Sequence, residues 1–312
     1  MGNLNTPICA TITGGNTGVP TCQIKPGTFV GALLVPKGHT FTATESVALA
    51  TEIQAACRVS GSGRIYPIWR FAAIEDKSSE TKENTLGYGG VTLGAEGKPR
   101  FIFRYLVGGV FLSNQLRKFN NLVKDVLYFD ENFILWGKTV AGKLGGYSLD
   151  FVHALPYKPA NGTDDAQFNI EFAHAKSSEM NESLGYVKFE EDPEGLIQGN
   201  LDLEVYQIAV VAGKATVGLR TVGDKTDIYT AFDDAFAVVG AWVVTDSSDG
   251  SAITPSAVAK NATDGGWDIS FTHTGAATIQ TASATALAVL HIGEAPDSGY
   301  ESDILTVTMP AP

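Results

Sequence analysis

The residues with the most chemistry in this 312-residue chain are five histidines, three cysteines and two knots of carboxylates. His39, His153, His174, His273 and His291 are scattered, and none stands in an HExxH pattern or four residues from a second ligand. That spacing is what puts two imidazoles on one helix face for zinc. His153 and His174 fall in neighbouring strand patterns and can meet across a sheet; the alternative is two polar positions on a half-exposed sheet. Asp164-Asp165 and Glu190-Glu191-Asp192 with Glu194 offer oxygens for a hard cation such as Ca²⁺. Without EF-hand spacing they read as solvated loops. Gly14-Gly15-Asn16-Thr17-Gly18 lacks the Lys-Ser/Thr and the following helix of a phosphate cradle, so it reads as a flexible loop. No serine sits in a Gly-x-Ser-x-Gly elbow, and no cysteine has an evident histidine and acid to activate it. Cys9, Cys22 and Cys57 form no CxxC pair. Reduced thiols are the expectation, with a Cys9–Cys22 disulfide as the alternative. The expectation is therefore a protein that is not an enzyme, with no cofactor or metal implied.

Charge and hydropathy narrow the class further. Lys and Arg number 22 against 34 Asp and Glu, a formal charge of −12. A chain that grips nucleic acid through phosphates needs a basic surface instead. From Asp224 onward twelve acidic residues face only Lys225 and Lys260, so −10 of the −12 lies there. That step predicts a domain boundary near residue 222. No apolar run reaches the roughly 18 residues of a membrane span. Met1 to Pro20 shows no basic start with an apolar block, so no secretory signal is expected. Met1-Gly2-Asn3-Leu4-Asn5-Thr6 fits the loose myristoylation pattern, but no basic cluster follows it.

The elements that would position these residues are mostly strands. Residues 1–28, rich in Thr, Gly and Pro, read as an extended N-terminal arm that needs a neighbouring subunit to hold it. Phe29 to Pro36 predicts a first strand. Thr42 with Glu45 predicts a capping box, and Leu49, Ile53 and Cys57 follow at helical spacing until Ser60-Gly61-Ser62-Gly63 ends the helix. Arg64 to Ala73 predicts a strand with Ile65, Pro67, Trp69 and Phe71 on one face, and Pro67 marks it as an edge or strand start. Val126 to Phe129 and Phe133 to Trp136 flank Asp130-Glu131-Asn132 as a hairpin. Alternation continues in Tyr147-Leu149-Phe151, Phe168-Ile170-Phe172 and Leu201-Leu203-Val205, the last strand of this domain. Trp242 to Val244, Trp267 to Phe271, Leu287 to His291 and Leu305 to Met309 predict a purely β second domain with turns between. The fold class is mainly β, an α+β domain over 29–222 followed by an immunoglobulin-like sandwich over 223–312. Trp69, Trp136, Trp242 and Trp267 each fall in a strand pattern and read as core.

One succession goes further. Glu75 to Gly90 is polar, charged and punctuated by glycine, as an exposed arm is. Phe101, Phe103 and Tyr105 then alternate with Ile102 and Arg104, a strand with one buried face. Leu112, Leu116 and Phe119 stand at i, i+4 and i+7 with Ser113 near the start, a short amphipathic helix. Arm, strand and helix in this order resemble the tail-tube proteins of long-tailed bacteriophages, over about the first two thirds of the chain. The resemblance implies a structural virion protein whose sheet edges pair between subunits and close a β-barrel. Hexameric rings of it would stack into a tube that DNA traverses without specific binding. Lys77, Glu80, Lys82, Glu83, Leu86 and Tyr88 would then form the inter-ring arm. The implied partners are further copies of the chain and other virion proteins, with no membrane, after synthesis in the host cytoplasm. The sandwich would decorate the outside. The rival readings are a capsid decoration or head-fibre protein, and a carbohydrate-binding accessory module.

Overall fold

Phe29 to Pro36 is apolar at nearly every position, and a strand of that composition has to be covered on both faces. The computed structural model, which describes residues 26–311 apart from 60, 82, 86, 89–90, 95, 106–108, 163–165 and 291–298, does this with β1 (Phe29–Pro36). Ala32, Leu33, Leu34 and Val35 are all fully buried. After β2 (Thr40–Phe41) comes α1 (Ser46–Cys57), with Leu49, Ile53 and Cys57 on its buried face as their spacing predicts. The expected Thr42–Glu45 capping box does not form. Glu52 instead reaches back from within the helix to accept from the Thr42 and Ala43 amides at 3.0 and 2.8 Å. A carboxylate from the second turn thus satisfies the chain entering the helix.

The strands that follow close on themselves. They are β3 (Tyr66–Trp69), β4 (Phe71–Asp76), a small hairpin of β5 (Glu83–Thr85) and β6 (Val91–Leu93), and β7 (Arg100–Tyr105). After α2 (Gly109–Leu116) come β8 (Lys124–Asp130), β9 (Ile134–Val140), β10 (Lys143–Gly145), β11 (Tyr147–Ala154) and β12 (Phe168–His174). β1 pairs with β8, β8 with β11, β11 with β12, β12 with β7 and β7 with β4. β3, which runs straight into β4, pairs back onto β1 and completes the ring. Arg70, at φ 61°, is the joint. A single left-handed residue flips the parity of the strand, so Phe71 shares the interior with Ile68 and not, as predicted, with Trp69. The barrel is closed within one chain.

The ring encloses an aromatic core that includes Phe103, Tyr105, Tyr128, Tyr147 and Phe172. Leu116 of α2, with Leu112 and the following Phe119, packs against it, as the i, i+4, i+7 pattern predicts. Ser113, expected near the helix start, lies buried inside a helix that begins at Gly109. β9 leaves the ring to pair with β10 and with β13 (Leu184–Lys188), which follows α3 (Ser178–Glu182); α4 (Pro193–Leu196) comes last. The predicted Asp130 turn joins β8 to β9.

The second compact unit begins at Gln198 and also takes in residues 57–60, so the main boundary lies between Ile197 and Gln198, not near residue 222. β14 (Leu201–Val211), expected to finish the first domain, and β15 (Lys214–Thr221) belong here. The acidic bias starts later than the unit because this first hairpin carries its own cations: Arg220 pairs with Glu204 and Lys214 with Asp268. Then come α5 (Tyr229–Phe232), β16 (Trp242–Asp246), β17 (Ala252–Ile253), β18 (Ala257–Asn261), β19 (Gly266–Ser270) and β20 (Gly275–Thr281). α6 (Ala284–Val289), β21 (Tyr300–Ser302) and β22 (Leu305–Met309) end the unit. One sheet runs β18-β19-β15-β14-β21, the other β17-β16-β20-β22, and both contribute to one core around Trp242 and Trp267. The two indoles donate to the Phe236 and Asp233 carbonyls at 2.8 and 2.9 Å, so neither buried N–H is left unpaired. The unit is not purely β. The strand expected over Leu287 to His291 is α6 as far as Val289, with Ser283 capping it through the Ala286 amide, and His291 lies outside the described residues. Ala284-Thr285-Ala286-Leu287-Ala288 after a Ser cap has helix propensity enough to override the apolar run.

Candidate functional site

The stretch predicted as an arm is built as an extension of the barrel. Beyond Asp76 the β4–β7 ladder continues: the Lys77 amide donates to the Arg100 carbonyl at 2.7 Å and the Ser79 amide to the Lys98 carbonyl at 3.3 Å. The Ser78 and Ser79 hydroxyls accept from the Arg100 and Lys98 amides, both at 3.0 Å. Gly97 is required here, since a Cβ on it would run into the Ser79 carbonyl. Farther out β5 and β6 pair Glu83 with Leu93 and Thr85 with Val91, so the polar stretch is a hydrogen-bonded ribbon.

Among the described residues the ribbon is anchored on one side. Its returning strand leans on the barrel through Glu96 to Ser177 at 2.8 Å, Lys98 to Asp150 at 2.7 Å, and the His174 amide to the Pro99 carbonyl at 2.9 Å. Its outgoing strand faces solvent: every residue from Ala72 to Thr81 is exposed. Of the six residues predicted for the arm, Lys77 is exposed and pairs with Glu75 at 2.6 Å, Glu80 and Glu83 are exposed, and Tyr88 at the tip is 85% exposed. Lys82 and Leu86 lie outside the described residues.

A second cluster of titratable groups lies inside. His174, predicted as a polar sheet position, is fully buried, with Nε2 2.8 Å from the Tyr128 hydroxyl and the Tyr147 ring beside it. Burial pushes the imidazole down to about 4 and drives the Tyr128 phenol up, so both are neutral at physiological pH. His153 does not meet it; the strand register sets His153 opposite Glu171. Nearby, Lys138 and Glu179 form a largely buried ion pair at 3.0 Å, shared with Ser148. Burial works to raise the Glu179 carboxyl, but the Ser148 amide and Lys138 together hold it below its ordinary value. Asp125, fully buried, is raised by burial and accepts from the Gly38 amide at 2.8 Å. The Phe101, Tyr128 and Tyr147 rings pack around His174 and close it off from solvent. Among the described residues no group of three His, Cys, Asp or Glu is arranged to hold a metal ion. The Asp164-Asp165 loop and the Cys9–Cys22 pair fall outside those residues.

No protein-family model matches the chain, and no curated protein matches it either. No helix among the described residues is long and apolar enough to cross a membrane.

Sequence reasoning showed that the stretch is exposed but not its hydrogen-bonded stem. Ser78, Ser79 and Gly97 register the ribbon, and the only signal for them was the Gly-Lys-Pro run before β7, which marks a bend without naming its partner. It also missed His174 as a core residue. The alternation that puts Phe168, Ile170 and Phe172 on one face carries through to position 174, so the signal was present and the polarity of the side chain hid it.

Proposed function

We propose that this chain is a structural virion protein, a tail-tube subunit whose rings stack into a conduit for DNA. The observation that carries the reading is the anchored ribbon from Lys77 to Arg100, solvent-facing along its outgoing strand and ending in the exposed Tyr88. Such a ribbon reaches beyond its own subunit, and its unpaired outer edge can take a strand from another copy. Because the barrel is closed within the chain, assembly uses the ribbon and the outer faces, leaving the fold intact in the free subunit.

An immunoglobulin-like second unit fits the same reading. With β21 and β17 as additional edge strands, the order β14-β15-β19-β18 against β16-β20-β22 is compatible with the A-B-E-D and C-F-G arrangement of that sandwich. Trp242, on the strand in the C position, is buried against Trp267, as the strand-C tryptophan of such domains is. Residues 198–312 hold no cysteine, so the sandwich lacks the inter-sheet disulfide of antibody domains.

The test is negative-stain electron microscopy of the purified full-length chain at high concentration, beside a variant in which residues 80–96 are replaced by a short Gly-Ser turn. Hollow tubes with a regular axial repeat, lost in the variant, are expected. A dispersed monomer that binds only to assembled capsid shells would replace the tube reading with the decoration reading. Tubes that persist without the ribbon would refute its role.

A further inference from the structure

From Gly97 to Lys124 the chain carries six basic residues and no acidic one, in a protein of formal charge −12. Three of the six, Arg117, Lys118 and Lys124, flank a turn at the barrel end where β1 finishes and β8 begins. The turn is built firmly. The Asn120 side chain accepts from the Ala154 amide at 2.7 Å, the Asn121 amide donates to the Val152 carbonyl at 3.2 Å, and the Leu122 amide to the Phe119 carbonyl at 3.0 Å. Asn121 takes the left-handed conformation at φ 63°, which Asn tolerates better than most residues. The outcome is two consecutive apolar side chains, Leu122 and Val123, held outward at 46% and 52% exposure. Lys124 follows them with its ammonium over the Tyr66 ring at 5.4 Å. Lys37, one residue beyond the Pro36–Lys124 pair, is exposed at the same end.

A rigid apolar pair inside a cationic rim suits a partner that is acidic with some apolar surface, because the charges steer the approach and the apolar contact holds it. The chain itself supplies such a partner. Residues 198–312 carry fourteen acidic residues against four basic, a net −10, while residues 1–197 come to −2. We infer that the collar around Leu122 and Val123 docks on the acidic second unit of another copy of this chain. The contact is heterologous, one patch meeting a different patch, so repetition closes into a ring or runs on as a filament. The inference rests on the self-association in the tube reading but uses a surface separate from the ribbon.

The experiment mixes ¹⁵N-labelled and unlabelled full-length chain in equal amounts and treats the mixture with a carbodiimide, which joins an ammonium to a carboxylate in contact with it. Mass spectrometry then sorts cross-links within one chain from those between chains by their isotopes. Mixed-isotope links from Lys118 or Lys124 to carboxylates of residues 198–312 are expected. They should fall about fivefold or more between about 50 and 500 mM salt, as screened surface charges do. They should also disappear in the Leu122→Asp, Val123→Asp double variant, whose exposed changes leave the circular dichroism and melting temperature of the chain unchanged. Absence of mixed links, mixed links only to residues 26–197, or links indifferent to salt would overturn the inference. So would retention by anionic vesicles or duplex DNA without any mixed links. Tubes formed equally well by the double variant would remove the collar and leave the tube reading standing. Mixed links without tubes would do the reverse.

Discussion

Asp130 is the residue whose removal should do most damage per atom. It is fully buried at the turn where β8 leaves the ring for β9, and its carboxylate accepts four N–H groups. One oxygen takes the Gly27 amide at 3.0 Å and the Trp136 indole at 2.8 Å; the other takes the Asn132 amide at 2.9 Å and the Ile134 amide at 3.0 Å. In Asp130→Ala the half-buried Gly27 and Asn132 amides can turn to water. The Trp136 and Ile134 donors are buried and cannot. Each buried donor left unpaired costs about 1–3 kcal/mol, so the variant should lose about 2–6 kcal/mol. Asp130→Asn keeps an acceptor for one pair but turns an NH₂ toward the other, and should lose about 2–3 kcal/mol. Urea unfolding followed by far-ultraviolet circular dichroism measures both, and a double-mutant cycle with Trp136→Phe isolates the indole bond. A loss under about 1 kcal/mol for the alanine variant, or no coupling to Trp136, would refute the reasoning.

Three further outcomes are expected. His174 is held near 4 when folded against an ordinary unfolded value of about 6.5, so the unfolded chain binds the extra proton. The wild type should therefore lose about 3 kcal/mol of stability relative to His174→Gln as pH falls from about 6.5 toward 4, with the difference between the two flat above about pH 6.5. Glu179→Gln leaves Lys138 buried without its counter-charge and should cost about 2 kcal/mol by denaturant titration, whereas exchanging the pair for Met and Leu should cost less. Gly97→Val should displace the ribbon stem from Ser79, seen as faster amide exchange at Lys77 and Ser79 with the barrel core still protected; unchanged exchange would count against the stem geometry.

Much of this architecture is legible in local patterns. Phe101-Phe103-Tyr105 and Leu305 to Met309 form strands, because one buried face at period two leaves a strand few other solutions; Phe29 to Pro36 forms one through its continuous apolar run, and the Asp130 turn arises from its turn formers. The Glu75–Gly90 stretch is legible as exposed for the opposite reason, having no apolar face to bury. The failures lie where two local signals conflict: Leu287 to His291 reads as a strand by hydrophobicity and begins as a helix by propensity and capping.

By itself the sequence determined several strands, among them β1, β7, β12 and β22, the apolar face of β7 and β12, that a polar stretch interrupts the first domain, and that the acidic charge gathers late in the chain. Only the tertiary structure decided that β14 joins the second unit, since alternation specifies a buried face but not the sheet that buries it. It decided that the barrel closes through one left-handed arginine, which has no signature in composition. It also set His174 in the core beside Tyr128, because a buried imidazole is acceptable once a hydroxyl and aromatic rings from distant strands surround it.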